Sequence, residues 1–218
     1  KCAKKTFDYL SVEAIKILLK QPKSDNIFEL RDLALLTLMY HSACRVQEII
    51  DLHVYSIKFD TTPTLCVTGK GNKTRIVPLN SETIKLLKKY ISLYNLQKDD
   101  ILFTNKYNKK FSERGIEYIV SKYVEKAKIN NPELFCCNVF PHSFRHSKAM
   151  HLLENGVNLI YIKDFLGHAS VSTTEIYARA NPEVRRKEIE KASKAVITES
   201  RFTKNEKSKL INFLKHNL

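Results

Sequence analysis

Apolar residues recur at helical spacing along the N-terminal part of the chain. Behind Ser11, a candidate N-cap, Val12, Ile15, Leu18 and Leu19 form one stripe, which predicts a helix that ends before Pro22. Over 27–40, Leu30, Leu33, Ala34, Leu36, Leu38 and Met39 cover most of a helical circumference, so this second helix is expected to be central and buried. A short break at 41–44 leads into a third helix over 45–52, with Val46, Ile49 and Ile50 on one face. The period then changes to that of strands. Short strands are predicted at 56–59, 65–68 and 75–79, and Gly69-Lys70-Gly71-Asn72-Lys73 reads as the hairpin turn between the last two.

Helical spacing returns after the hairpin. Ser81 is read as the cap of a helix to about Asn95, with Ile84, Leu87, Ile91 and Tyr94 inward. A short extended piece at 101–103 follows, and Ser112 opens a helix carrying Ile116, Ile119, Tyr123 and Ala127 to about 130. Pro141 suits the first turn of the next helix, which Gly156 ends. Residues 158–166 predict a short helix closed by Gly167, and 170–174 cap a last helix bearing Tyr177. These elements make the fold mainly α with a small antiparallel β-sheet (α+β). Beyond Asn181-Pro182 the chain becomes highly charged and finishes with an amphipathic stretch in which Leu210, Phe213 and Leu214 share a face. No internal repeat or low-complexity segment interrupts it.

Composition narrows the function classes. The 218 residues, 43% of them hydrophobic, suffice for one large domain or one domain with an appendage. Lys and Arg outnumber Asp and Glu by 37 to 23, a formal charge of +14, which favours a polyanionic partner. No apolar run is long enough to span a membrane, and the start lacks the apolar core of a signal peptide. Cys2, Cys44, Cys66, Cys136 and Cys137 are odd in number and form no C-x₂-C pair, so ordinary thiols in a reducing cytosolic setting are expected.

Candidate chemistry concentrates between Pro141 and Tyr177. His142 and Arg145 lie one turn apart near the positive end of a helix, where an anion is welcome. His168 follows in a Leu-Gly-His turn, and Tyr177 comes nine residues later. Attack on a phosphodiester by a side chain needs a nucleophile, proton-transfer groups and cations around the non-bridging oxygens. Upstream, Arg45 emerges straight after the buried helix and needs an acidic partner or an anionic ligand, with Glu48 within reach three residues on. Lys70, Lys73 and Arg75 concentrate charge on the hairpin.

Taken in order, these pieces resemble the tyrosine site-specific recombinases, which include phage integrases, transposon integrases and Xer-type resolvases. The matching boxes are Ala43-Cys44-Arg45-Val46-Gln47-Glu48, the hairpin from Gly69 to Leu79, Pro141-His142-Ser143-Phe144-Arg145-His146, and Leu166-Gly167-His168-Ala169-Ser170 leading to Tyr177. One departure is Ser42-Ala43-Cys44, where the family often has a glycine; Ala and Cys are small enough to fit.

The resemblance implies a tyrosine recombinase catalytic-domain fold over 8–180. It makes 1–7 the remnant of a linker from an N-terminal DNA-clamping domain upstream of this Lys start, and 181–218 a helical tail exchanged between protomers. It also implies that Tyr177 attacks the scissile phosphate to form a 3′-phosphotyrosyl link. Arg45 and Arg145 would hold the non-bridging oxygens and His168 would donate a further hydrogen bond. Lys70 would protonate the leaving 5′-oxygen, and His142 would take the proton of Tyr177. Glu48 is a supporting residue, and Lys73, Arg75 and Lys148 are read as DNA contacts. No cofactor and no metal are expected. The implied partner is a double-stranded DNA recombination site, bound by a tetramer of chains that are monomers when free. The implied location is cytoplasmic, nucleoid-associated when bound. A type IB topoisomerase-like enzyme, or a non-catalytic DNA-binding module on the same scaffold, are the alternatives.

Overall fold

The computed structural model describes residues 9–180 and Arg186, apart from Ser24, Lys70 and Asn72, and only the backbone of Arg179 and Ala180. The chain divides into two units, 1–184 and 185–218. The fold below is that of the first; Leu210, Phe213 and Leu214 lie outside the described residues.

Eight α-helices and a three-stranded antiparallel sheet in the order β1-β2-β3 make up the described part of this unit. Helix α1 (Val12–Leu19) starts where Ser11 accepts a hydrogen bond from the Ala14 N–H, as its sequence predicts. Helix α2 (Ile27–Ser42) begins under an Asn26 cap and is buried around most of its girth. Leu30, Leu35, Leu36 and Leu38 are almost wholly removed from water, and each such side chain contributes roughly 2–3 kcal/mol of transfer free energy. Helix α3 (Val46–Ile50) follows, then a 3₁₀ turn (Val54–Ser56) that shortens the first predicted strand to β1 (Ile57–Lys58).

Strands β2 (Thr64–Thr68) and β3 (Thr74–Pro78) pair with Cys66 opposite Ile76 and Val67 opposite Arg75. Leu65, Val67 and Val77 are buried while Ile76 points outward. The two-residue period therefore sends Arg75 to the same face as Val77, towards the interior.

Helix α4 (Ser81–Leu93) is capped by Asn80, whose side chain accepts from the Thr83 N–H, so the predicted cap Ser81 is its first helical residue instead. Helix α5 (Glu113–Asn130) is capped by Ser112 as expected, and a 3₁₀ turn not foreseen follows at Pro132–Phe135. Helix α6 (Pro141–Glu154) has Pro in its first turn, α7 (Leu159–Leu166) ends on Gly167 in the left-handed region, and α8 (Ser172–Ala180) carries Tyr177.

Helix α2 packs against α4 and α6, and α7 and α8 close on α6. A large apolar cluster runs through α1, α2, α4, α5 and the sheet. A second, smaller one gathers Ala43, Met150, Leu153, Ile162, Leu166 and Tyr177 where α6, α7 and α8 meet the end of α2. Of the described catalytic candidates, Tyr177 lies within this second cluster, and Arg45 and His168 each follow one of its members, Ala43 and Leu166, by two positions.

Candidate active site

The α2–α3 junction sets the first arginine. Ala43 takes a left-handed conformation (φ 49°, ψ 30°) that turns the chain sharply out of α2. Arg45 then sits extended at the start of α3, and Glu48 reaches back to it. Glu48 Oε2 accepts the Arg45 backbone N–H at 2.7 Å, and Oε1 accepts from Arg45 Nη1 at 3.0 Å. The Arg45 side chain stays 41% exposed, so its guanidinium is oriented by the carboxylate and remains open to a ligand.

Arg75 is placed differently from the expectation that it contacts DNA. Its side chain is only 11% exposed and forks onto Glu48, with Nη1 to Oε1 at 2.9 Å and Nη2 to Oε2 at 2.7 Å. Nε donates to the Phe165 carbonyl at 3.1 Å, at the end of α7. The same guanidinium crowds Gly167, where an added Cβ would lie 3.0 Å from Arg75 Cδ and the backbone has φ +66°. Glycine is required there on both counts. Strand register is the cause, since it turns Arg75 inward with Val77. Burial raises the Glu48 carboxyl, but hydrogen bonds from Arg75 and from the Arg45 N–H outweigh it and hold the group down to about 2.

Arg145 is buried on α6, yet among the described residues it meets no carboxylate. Nη1 donates to the Ala43 carbonyl at 2.7 Å and Nη2 to the Leu166 carbonyl at 2.6 Å. These two bonds tie α6 to the loop before Arg45 and to the turn before His168. Burial, then repulsion by Arg45 and Arg75, lowers its pKa to about 10. His168 Nδ1 lies 2.9 Å from the hydroxyl of the fully buried Thr174. Burial first, then Arg145, Arg45 and Arg75, push His168 down to about 4, so it is neutral at physiological pH. Three guanidiniums thus surround one carboxylate and one neutral imidazole, which leaves the hollow positive and suited to an anion.

Tyr177 is 1% exposed within the second cluster, and burial raises its pKa while Arg145 opposes the rise. Its hydroxyl lies 2.9 Å from His146 Nδ1. The structure thereby corrects the pairing of His142 with this phenol: His146, one turn further along α6, holds that position, while His142 is exposed beside it with ring centroids 6.1 Å apart. Lys148 also differs from expectation, since its Nζ stands 5.2 Å from the centroid of the Tyr40 ring and lines a cavity with His41. Lys73 is exposed. Lys70 lies outside the described residues.

His146 and Thr174 are the two contacts that sequence reasoning passed over. Among the described residues no group of three or more His, Cys, Asp or Glu side chains is arranged to hold a metal ion. Cys44, buried against Arg75, has its thiol pushed up to about 11, chiefly by burial, and is chemically quiet. No helix among the described residues is long and apolar enough to cross a membrane.

Comparison with known proteins relates the chain to a family. Residues 8–184 match the model of the phage integrase family. The chain belongs to the phage integrase family. The tyrosine recombinase XerC of Natranaerobius thermophilus is 37% identical over 185 residues, which is 80% of this integrase-family chain and 58% of the relative. The chain thus spans less than two thirds of that relative's length. The crystal structure of XerA recombinase superposes with a TM-score of 0.71 at 30% identity, covering 86% of this chain and 66% of that one. The XerH site-specific recombinase bound to a palindromic difH substrate, in a post-cleavage complex, superposes with a TM-score of 0.70 at 25% identity over 83% of this chain and 52% of its own. Among the boxes that define the resemblance, those of Arg45, Arg145 and His168 are joined by hydrogen bonds between Arg145 and the backbone before Arg45 and His168, and Tyr177 meets the Arg145 box at His146.

Proposed function

We propose that residues 8–180 are the catalytic domain of a site-specific DNA recombinase that cuts and rejoins strands through a 3′-phosphotyrosyl intermediate. The observation that carries this reading is the double anchorage of Arg145. By gripping the Ala43 and Leu166 carbonyls it brings the Arg45 and His168 segments to one buried cation beside Tyr177. Burial of an arginine without an acidic partner costs stability, and an arriving phosphate is the ligand that offsets this cost.

In this mechanism Arg45 and Arg145 hold the non-bridging oxygens and stabilise the phosphorane. The Thr174 hydroxyl donates to His168 Nδ1, which leaves the proton of the neutral ring on Nε2 for the phosphate. Lys70 protonates the leaving 5′-oxygen, and His142, exposed at the positive end of α6, assists proton transfer on the DNA side. Tyr177 is the nucleophile, and the bond energy kept in the phosphotyrosine lets a second 5′-hydroxyl attack it without ATP. The working species is a tetramer on two double-stranded DNA sites, formed from free monomers, in the cytoplasm and nucleoid-associated when bound. The parallel with XerH, bound to a palindromic difH substrate in a post-cleavage complex, supports the DNA partner. The tail 181–218 serves as the element exchanged between protomers, and the exposed Lys73 meets the DNA backbone.

The test uses a duplex whose sequence is recovered by covalently trapping the full-length protein on genomic DNA, nicked so that cleavage is irreversible. Tyr177→Phe should bind this duplex and form no covalent adduct, whereas an adduct would overturn the assignment of the nucleophile. Cleavage should survive EDTA. Relaxation of supercoiled DNA without exchange between two sites would identify a topoisomerase-like enzyme instead.

A further inference from the structure

We propose that His146 is the catalytic base of Tyr177, accepting the phenol proton through Nδ1 as the phenol oxygen attacks phosphorus. This rests on the reading of Tyr177 as nucleophile and goes beyond it. The hydroxyl lies 2.9 Å from Nδ1, inside the distance at which a proton passes directly between two heavy atoms. The phenol ring is enclosed by the second apolar cluster, and its centroid lies 5.8 Å from that of His146. The imidazole is thereby the group that the fold itself aims at the reacting oxygen.

Several groups face His146: on its own helix His142 and Arg145, from α8 Tyr177, and from the α7–α8 turn His168, which His146 in turn influences. Burial, then His142 and Arg145, keep His146 below the ordinary histidine pKa, which favours the neutral ring that can accept a proton. When the phosphate arrives it screens Arg145, and the imidazolium formed by proton uptake then faces an anion instead of a cation. Atoms and charges balance. The O–H bond of Tyr177 breaks as the new P–O bond forms, the proton goes to Nδ1, and the 5′-oxygen leaves with a proton from the acid on its own side. In the rejoining step the incoming 5′-hydroxyl attacks and yields its proton to the group that had protonated the departing 5′-oxygen, the phenolate departs, and Nδ1 returns the proton to it.

The discriminating variant is His146→Asn in the full chain. The asparagine side-chain oxygen occupies about the place of Nδ1 and accepts the same hydrogen bond, but cannot take up a proton at neutral pH. On the nicked duplex, cleavage by the unchanged chain should fall as the pH drops below the ordinary histidine range, with a slope of about one proton. His146→Asn should cleave about 100-fold more slowly at pH 7, lose that acidic limb, and speed up steadily into alkaline solution. Difluorotyrosine at position 177, a more acidic phenol, should restore much of the rate in His146→Asn and little in the unchanged chain. His142→Gln should keep the acidic limb.

Cleavage by His146→Asn at an equal or higher rate would mean that His146 merely latches the resting tyrosine, and would overturn the proposal. So would an acidic limb that vanishes in His142→Gln and persists in His146→Asn. Should His146→Asn fail to fold, His146→Ala, which removes base and hydrogen bond together, should likewise lose the acidic limb, and its persistence would overturn the proposal. An adduct with Tyr177→Phe would instead break the underlying reading, so the two failures are told apart.

Discussion

Arg75 and Arg145 invite comparison because both are buried and both grip the end of α7, at the neighbouring carbonyls of Phe165 and Leu166. A helix C-terminus welcomes either cation. The difference lies in what else each meets. Arg75 closes a two-pronged pair with Glu48, so its charge is neutralised inside the protein. Among the described residues Arg145 is bonded to neutral carbonyls, and burial lowers its pKa where that of Arg75 is raised by Glu48 against the effect of burial. One arginine is structural cement that holds the hairpin, α3 and the His168 turn together. In the proposed function the other leaves its charge to be met by a ligand. Burial and residue type alone do not distinguish them; the acidic partner does.

The comparison breaks first at Arg145. Arg145→Ala should reduce single-turnover cleavage by about 10³-fold while the duplex still binds; a drop of less than tenfold would make Arg145 structural like Arg75. Next comes the clamp. Glu48→Gln or Arg75→Gln leaves a buried charge without its partner and should cost about 3–5 kcal/mol in urea unfolding, with part of the loss recovered when both are changed together. If Arg75 were a DNA contact after all, Arg75→Gln would leave stability intact and reduce the slope of log affinity against log salt by about one.

Acid sharpens the same contrast. The folded Glu48 titrates at about 2 against an ordinary 4.5. A depressed carboxylate contributes stability that is present above the unfolded value and is lost as pH falls towards the folded one. Between about pH 5 and pH 2 the native chain should therefore lose roughly 3 kcal/mol that Glu48→Gln does not lose; equal acid sensitivity in both would show that Glu48 is not the responsive group. The smallest effect is expected at the turn that gives Arg145 its Ala43 carbonyl. Ala43→Gly relieves a left-handed strain of about 1–2 kcal/mol but gives up a buried methyl and adds freedom to the unfolded chain. The terms nearly cancel, so stability should change by less than about 1 kcal/mol.

Much of the fold was legible because its signals are local. The buried girth of α2, the Ser11 and Ser112 caps, Pro141 opening α6 and Gly167 closing α7 each follow from short-range periodicity or capping chemistry, and each stands where the sequence predicts. Glu48 was also within reach, since a carboxylate three residues after Arg45 faces it on any helix. Arg75 was misjudged by its type. Its strand alternates with Val77 inward, and this register already pointed it to the interior, but the basic hairpin invited a surface role.

The amino-acid sequence by itself determined the order of elements, the left-handed turns and the set of chemical groups, because these depend on neighbours a few residues apart. Tertiary structure decided which groups meet. Whether His142 or His146 reaches Tyr177 depends on how α6 crosses α8, and both histidines lie one turn apart on the same helix. Whether an arginine's charge is compensated inside the protein depends on a carboxylate 27 positions away for Arg75 and on carbonyls 102 and 21 positions away for Arg145. Such pairings are set by how the apolar faces of helices and sheet pack together, and no local pattern encodes them.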